Sequence, residues 1–449
     1  MSVSRRQVIR AAASVAATAI VGSATRAAAP AKPATQRVTA AASTQANDRP
    51  RFAVIGTGGR GKALGRDIAH HGDIVAACDV DTKRLDEFNA HRAGGKASLT
   101  TDYREILQRK DVDCVVIGTQ DHWHAKMSAD AMRAGKDVYC EKPLTLTIDE
   151  GRILGRVARE TGRVLQVGTQ QRSEEHWQRA LAFVRSGRLG PIRQVICVIK
   201  SNLQGGPFPV SDPPSELNWD LWLGPAPYVP YIKQRCHYDF RWWYEYSGGR
   251  MTDWGAHFVD MAQWAAAPDL PGPVWIEPLE NRHPIKMIRG YPECDDCYNT
   301  ASRFKVKATF ANGVEIIMTD VVPGAEHIDN GILFVGEKHT MFVNRKEMRG
   351  DGVETLKTEP LPEHAVAALR NGRPLRSHMA DFVECCRDRG TPLSDVWSHH
   401  RHLTTCHLAN IALRLGRKIR WDATAERIVG DSEADAFISR PQRKGYELA

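Results

Sequence analysis

RFAVIGTGGRGKALGRDIAHH, residues 51–71, opens with a short apolar run, passes through a cluster of glycines and continues with apolar residues at helical spacing. That order predicts a buried strand, a tight turn and a helix. Gly56, Gly58 and Gly61 fit the pattern G-x-G-x-x-G. In it the first glycine makes the turn, the second lets a diphosphate approach the backbone, and the third lets helix and strand pack closely. Gly59 and Arg60 complete the turn, and the first amides of the helix face the phosphates. A bare motif of this kind is often a simple turn, so its context decides. The next apolar run, DIVAAC, ends at Asp79, about twenty residues on, where a carboxylate accepts hydrogen bonds from the adenosine ribose hydroxyls. A carboxylate there repels a 2′-phosphate, so NAD is expected ahead of NADP, with Lys83 and Arg84 just beyond softening the preference.

Downstream, TDYREILQRK reads as helix, DCVVIGT as strand, DHWHAKMSADAMRAG as helix, DVYCEKP as strand, TIDEGRILGRVARETG as helix and RVLQVGTQ as strand. Such alternation predicts a parallel, doubly wound sheet of the Rossmann type over residues 51–170. Ligands of these sheets sit at the carboxyl ends of the strands, where Thr119, Gln120 and the Glu141-Lys142-Pro143 triplet fall. In the DHWH segment, His124 is placed on the cofactor side and His122 with the substrate, beside Asp121. The spacing allows a metal, but no carboxylate or cysteine partner supports one, and no metal is assigned.

At 449 residues the chain fits two domains and a tail, and its 42% hydrophobic and 25% charged content is that of a soluble globular protein. Part of the net charge of +8 lies in the first 26 residues, where Arg5, Arg6, Arg10 and Arg26 meet no acid. Elsewhere the two signs are interleaved, which argues against a nucleic-acid partner. Residues 1–29 read as an export signal, with a charged start, an Ala- and Val-rich stretch and small residues at Ala27 and Ala29. The Arg5-Arg6 pair resembles a twin-arginine signal, which implies that export machinery as a partner and a periplasmic location without stable membrane insertion after processing. An ordinary secretory signal with an incidental arginine pair is the competing assignment. Residues 30–50 then form a flexible tether, and 171–449 a second domain. The ten cysteines show no disulfide framework; Cys294 and Cys297 form one C-x-x-C, open as a disulfide, half a metal site or a coincidence.

From about Arg51 onward the chain resembles the glucose-fructose oxidoreductase, inositol dehydrogenase and rhizopine-catabolism (Gfo/Idh/MocA) family. The resemblance is carried by the glycine turn with Asp79, by AGKDVYCEKPLTLT around Lys142, and by GGRMTDWGAHFVD containing Asp253 and His257. NGVEIIMTD, ILFVGEK and HLANIALRLGRKIRWD look like the secreted branch of the same family. It implies a C-terminal α/β domain with a large, open, mostly antiparallel sheet used for oligomer contacts, hence a homodimer or homotetramer. RQVICVIK, PVWIEPL, SRFKVKATFA, VEIIMTDVV, ILFVGEK and TMFVNR are strand-like, with Asn312-Gly313 as a hairpin turn.

Hydride transfer from a carbinol carbon needs a base on the hydroxyl. The family motif makes Lys142 a candidate, with a pKa lowered by partial desolvation. Asp253 and His257, four positions apart in a helical stretch, project from one face. In the family scheme the histidine is the acid/base and the aspartate orients substrate or imidazole. Trp242, Trp243 and Tyr244, just upstream, are expected to bind the C–H faces and edges of a sugar. Three functions fit: a sugar, polyol or glycoside oxidoreductase with tightly bound NAD, a redox-neutral glycosidase working through a transient keto-sugar, and a sugar-binding protein with structural NAD.

Overall fold

β1 (Arg51–Ile55) is buried almost end to end, because it lies inside a sheet covered on both faces, the setting that favours continuous apolar strands. The computed structural model describes residues 49–321, 330–370 and 372–448; the expected signal, 1–29, and nearly all of the tether lie outside them. After β1 come α1 (Gly59–Ile68), β2 (Asp73–Cys78), α2 (Thr82–Arg92), β3 (Ser98–Thr100) and α3 (Tyr103–Gln108). β4 (Cys114–Ile117), α4 (Asp121–Arg133), β5 (Asp137–Cys140), α5 (Ile148–Thr161) and β6 (Leu165–Val167) complete the unit. The sheet order is β3-β2-β1-β4-β5-β6 and every pairing is parallel. Strand order reverses between β1 and β4, the crevice where ligands of such sheets bind.

α6 (Glu175–Arg185) leads into a second sheet built from β7 (Ile192–Val198) and later strands. α7 (Trp219–Leu223), α8 (Arg250–Asp253) and α9 (Gly255–Ala266) precede β8 (Trp275–Arg282). A small ribbon, β9 (Met287–Ile288) with β10 (Tyr291–Pro292), stands apart. β11 (Arg303–Thr309), β12 (Glu315–Thr319), β13 (Gly331–Gly336), β14 (Thr340–Val343) and β15 (Met348–Arg349) follow. After α10 (Glu363–Ala368), α11 (His378–Asp388) and α12 (Val396–Leu415), β16 (Ile419–Asp422) and β17 (Arg427–Ile428) close the order β15-β14-β13-β7-β12-β11-β8-β16-β17. Among the described residues only β7 and β12 of this sheet pair in parallel, so the sheet is mixed and mostly antiparallel. The hairpin turn between β11 and β12 uses Gly313 at φ +83°, a conformation that costs glycine little.

One face of this sheet rests on α9 and α12, and α12 is buried on nearly all sides because it also packs on α5. The two halves therefore share one core, and the described residues form a single unit. GGRMTDWGAHFVDMAQWAAA is helical as expected but broken at Trp254, which separates α8 from α9. Among the described residues no helix is long and apolar enough to cross a membrane.

Deep between the halves, Arg172 Nε donates to Asp260 Oδ2 at 2.7 Å, its second nitrogen bonds Oδ1, and His402 Nδ1 lies 2.7 Å from the same Oδ1. Burial raises the cost of that charge, but the guanidinium overrides it and holds Asp260 well below the usual carboxylate range. Removing one partner of such a pair leaves a charge in the core. Arg172→Met is expected to cost about 3–5 kcal/mol and to move the urea unfolding midpoint down; an unchanged midpoint would show the network to be dispensable.

Candidate active site

A cavity of about 910 Å³ runs along the carboxyl ends of β1, β2, β4 and β5. At one end Gly56 turns the chain at φ +83°, and a β-carbon there would lie 2.7 Å from Gly118 C and Thr119 N. A β-carbon on Gly61 would lie 1.9 Å from the Gly56 carbonyl oxygen, so Gly61 lets α1 press against the turn without itself lining the cavity. α1 begins with no side-chain cap and no acid in its first turn, which leaves its free amides and positive dipole end facing the cavity at Gly58, Gly59 and Arg60. These features fit a dinucleotide diphosphate.

Asp79 sits where the ribose belongs. Its Oδ2 accepts from Thr57 N at 2.6 Å and Thr57 Oγ1 at 3.0 Å, and its Oδ1 from Asp81 N at 3.0 Å. Burial pushes its pKa up while these bonds oppose it. The carboxylate thus braces the glycine turn and retains acceptor capacity for a ribose hydroxyl. Asp81 holds Arg84 Nε at 3.3 Å and His237 Nε2 at 3.5 Å. Segment 214–241 is tied down over this end: Asn218 N bonds Val80 O, Thr82 N bonds Glu216 O, and Leu217, Trp222, Tyr238 and Phe240 line the roof.

On the floor, Arg60 reaches Glu141 at 2.7 Å, and Gln170 Nε2 donates to the same carboxylate at 3.1 Å. Glu141 lifts the Arg60 pKa despite burial. His124 places Nδ1 2.7 Å from Pro143 O and Nε2 3.2 Å from Thr119 O, bracing the ends of β4 and β5. Thr119 and Gln120 line the wall between them.

At the opposite end the structure brings Lys142, Asp253 and His257 together. Lys142 Nζ donates to Asp253 Oδ1 at 2.5 Å and to its carbonyl at 3.3 Å. Burial opposes the charge on Asp253, but Lys142, Arg241 and Arg250 more than offset it and hold its pKa far below the usual range. His257 is 5% exposed and lines the cavity, with a buried Nδ1 that has no partner. Burial, then the nearby Lys142 and Arg345, push its pKa well down, so the imidazole is neutral near pH 7.

Four expected substrate contacts are corrected. His122 is buried, its Nε2 faces Trp222 O at 3.1 Å, and it packs on Trp222 and Tyr246 away from the cavity wall. Trp243 donates to Gln234 O at 2.9 Å beneath Arg235. Tyr244 lies against His283 and Ala301. Trp242 is fully buried and meets the site only through Arg250, 5.1 Å from its ring. These side chains pack in the core, and Trp222, Tyr238, Phe240 and Trp254 line the cavity in their place. Arg241, Arg250, Arg345 and Tyr446 also line it and were not anticipated; of these only Arg250, three positions before Asp253, carried a local signal. Cys294 and Cys297 are free thiols that lie near Asp296, outside the cavity lining.

A parallel nucleotide-binding sheet joined to a mixed, mostly antiparallel sheet is the two-part architecture around this cavity. Residues 50–169 match the oxidoreductase-family NAD-binding Rossmann fold, and residues 202–448 match that family's C-terminal α/β domain. The chain belongs to the Gfo/Idh/MocA oxidoreductase family. Among curated relatives, inositol 2-dehydrogenase of Rhizobium meliloti (strain 1021) is 27% identical over 216 residues, 48% of this chain and 54% of that protein. A glycosyl hydrolase family 109 protein of Shewanella pealeana is 37% identical over 112 residues, 23% of this chain and 25% of that protein. The matched stretches thus span little more than half of these relatives, or less. The WlbA dehydrogenase of Bordetella pertussis, solved in complex with NADH and UDP-GlcNAcA, shares the fold at a TM-score of 0.59 and 19% identity, covering 84% of this chain and 98% of that one.

Gly61→Ala overpacks the contact between turn and helix, at a cost of about 1–3 kcal/mol. A roughly tenfold loss of dinucleotide affinity is expected in a fluorescence titration. Unchanged affinity would place the phosphate site elsewhere.

Proposed function

We propose that the protein is an NAD-dependent oxidoreductase that moves a hydride between a carbinol of a sugar, polyol or glycoside and a nicotinamide held through the whole reaction. The observation that carries this is the convergence of Lys142, Asp253 and His257 on the cavity that also contains the glycine turn. A bound nicotinamide supplies the hydride acceptor. The chain supplies the rest. His257 accepts the hydroxyl proton, since its ring lines the cavity and is neutral. Lys142, pinned by Asp253, donates a hydrogen bond to the same oxygen and steadies the charge that develops there.

Retention of the cofactor is supported by the roof. Segment 439–448 reinforces it: Arg440 bonds Glu150 and the His122 carbonyl, Arg443 bonds Asp220, and Tyr446 packs on Trp123 and lines the cavity. Enclosure slows dissociation, which suits a protein exported already folded through the twin-arginine route to a compartment with little free NAD. NAD is preferred to NADP because Asp79 and Asp81 flank the ribose position and Arg84 is engaged by Asp81. The protein works as a homodimer or homotetramer through its larger sheet. The relatives named as inositol 2-dehydrogenase and as a WlbA dehydrogenase with NADH support the same chemistry. Redox-neutral glycoside cleavage in the same site is the second function, supported by the relative named for glycosyl hydrolase family 109.

The test is single-turnover reduction of the resident nicotinamide by a panel of sugars and glycosides. Because the His257 pKa is depressed, protonation is postponed as pH falls, so the rate should stay level through the ordinary imidazole range near 6.5 and decline only below it. His257→Asn should slow the step by about 10²–10⁴-fold with nucleotide still bound. Aglycone release without net reduction would select the cleavage chemistry. A full rate in the variant, or a decline centred near 6.5, would contradict the assignment of the base.

A further inference from the structure

The catalytic end of the cavity carries more positive charge than the reaction needs. Lys142 lies 2.5 Å from one oxygen of Asp253, while Arg250 at 3.2 Å and Arg241 at 3.6 Å share the other. One carboxylate thus faces three cations. Arg345 adds a fourth on the same wall, its guanidinium 4.8 Å over the Trp254 ring, with no carboxylate at ion-pair distance among the described residues. Two further acids border this end. Asp121 is buried, which favours its neutral form, and accepts from Ser247 Oγ at 2.6 Å; Glu174 stands exposed on the rim with no ion pair among the described residues.

Elsewhere in the cavity the cations are matched, Arg60 to Glu141, Arg84 to Asp81 and Arg104 to Asp102. The excess is therefore local, and it lies away from the start of α1, where the cofactor diphosphate is placed. Arg250 Nε and His257 Nδ1 are buried polar atoms without partners in the same corner. Arg241 and Arg250 are partly buried, 24% and 19% exposed, and Arg345 stands exposed beside them, so the cations remain open to an anion entering the cavity. A guanidinium offers paired donors with the spacing of a carboxylate's oxygens.

We propose that the substrate carries a carboxylate, as a sugar acid or its glycoside, and that Arg241, Arg250 and Arg345 bind it. This rests on the oxidoreductase function above and narrows it. The test is calorimetric titration of the protein as purified, with its nucleotide, using methyl glycosides of glucuronic, galacturonic and mannuronic acids. Each is paired with its neutral sugar, which differs only in –CH2OH for –COO⁻, and glucose 6-phosphate is a third arm. At least one acid should bind about tenfold or more tightly than its neutral partner, with a preference that shrinks at high salt. Arg345→Gln and Arg241→Gln should each bring the ratio of acid to neutral affinity down toward one.

Equal binding of acids and neutral sugars would overturn the proposal and leave the oxidoreductase function standing. A clear preference for the phosphate would overturn it in favour of phosphorylated substrates. Loss of the resident nucleotide in the arginine variants, with the acid-to-neutral ratio unchanged, would overturn it by assigning these side chains to the cofactor. If no compound of either charge binds or reduces the nicotinamide, the sugar oxidoreductase function falls and the proposal with it.

Discussion

An ammonium and a carboxylate 2.5 Å apart, 15% and 11% exposed, join the end of β5 to α8. The first belongs to the nucleotide-binding half and the second to the other half, so this pair fixes the distance between the turn that holds a dinucleotide and the helix that presents His257. Taking both charges out of water is expensive, and the pair persists because each side has further partners. The Asp253 carbonyl also accepts from Lys142, and Arg250 and Arg241 stand on the far carboxylate oxygen. Position and charge at the catalytic end thus come from one small network rather than from flexible loops.

The rest of the molecule holds that network in register. Arg172 and Asp260 lock the chain that follows β6 to α9, one turn beyond His257. Segments 214–241 and 439–448 close the cavity from the side where the parallel sheet alone would leave it open. Leu217 bridges Asp81 as an added backbone pairing beside the ribose position, so enclosure is anchored by main-chain bonds as well as side chains. Under the proposed function, this enclosure is what would hold a nucleotide through repeated turnover and keep bulk water from the reacting carbon.

How much of this was legible in the sequence depends on range. The glycine turn, Asp79 and the strand-helix alternation are encoded within a few residues of one another, so the parallel sheet and the nucleotide end could be read directly. β3 escaped because three residues carry too little pattern. Lys142 and the Asp253/His257 pair needed a family resemblance, since nothing local says that positions 111 residues apart will meet. The aromatic run was misplaced for a physical reason: a tryptophan that fills a core and one that stacks on a sugar have the same residue type and the same flanks. Trp242 and Trp243 are fully buried, and only the folded chain distinguishes the two roles. Arg241 and Arg345 look like ordinary surface charge until the fold carries them to Asp253 and Trp254.

The central claim is that a nicotinamide dinucleotide resides beside Lys142, Asp253 and His257. The most direct measurement is to denature the purified protein and identify what it releases by mass and absorbance. Near-stoichiometric NAD is the predicted result. Protein that releases no nucleotide and binds none when NAD or NADP is added would contradict the account, leaving a shared fold without the chemistry.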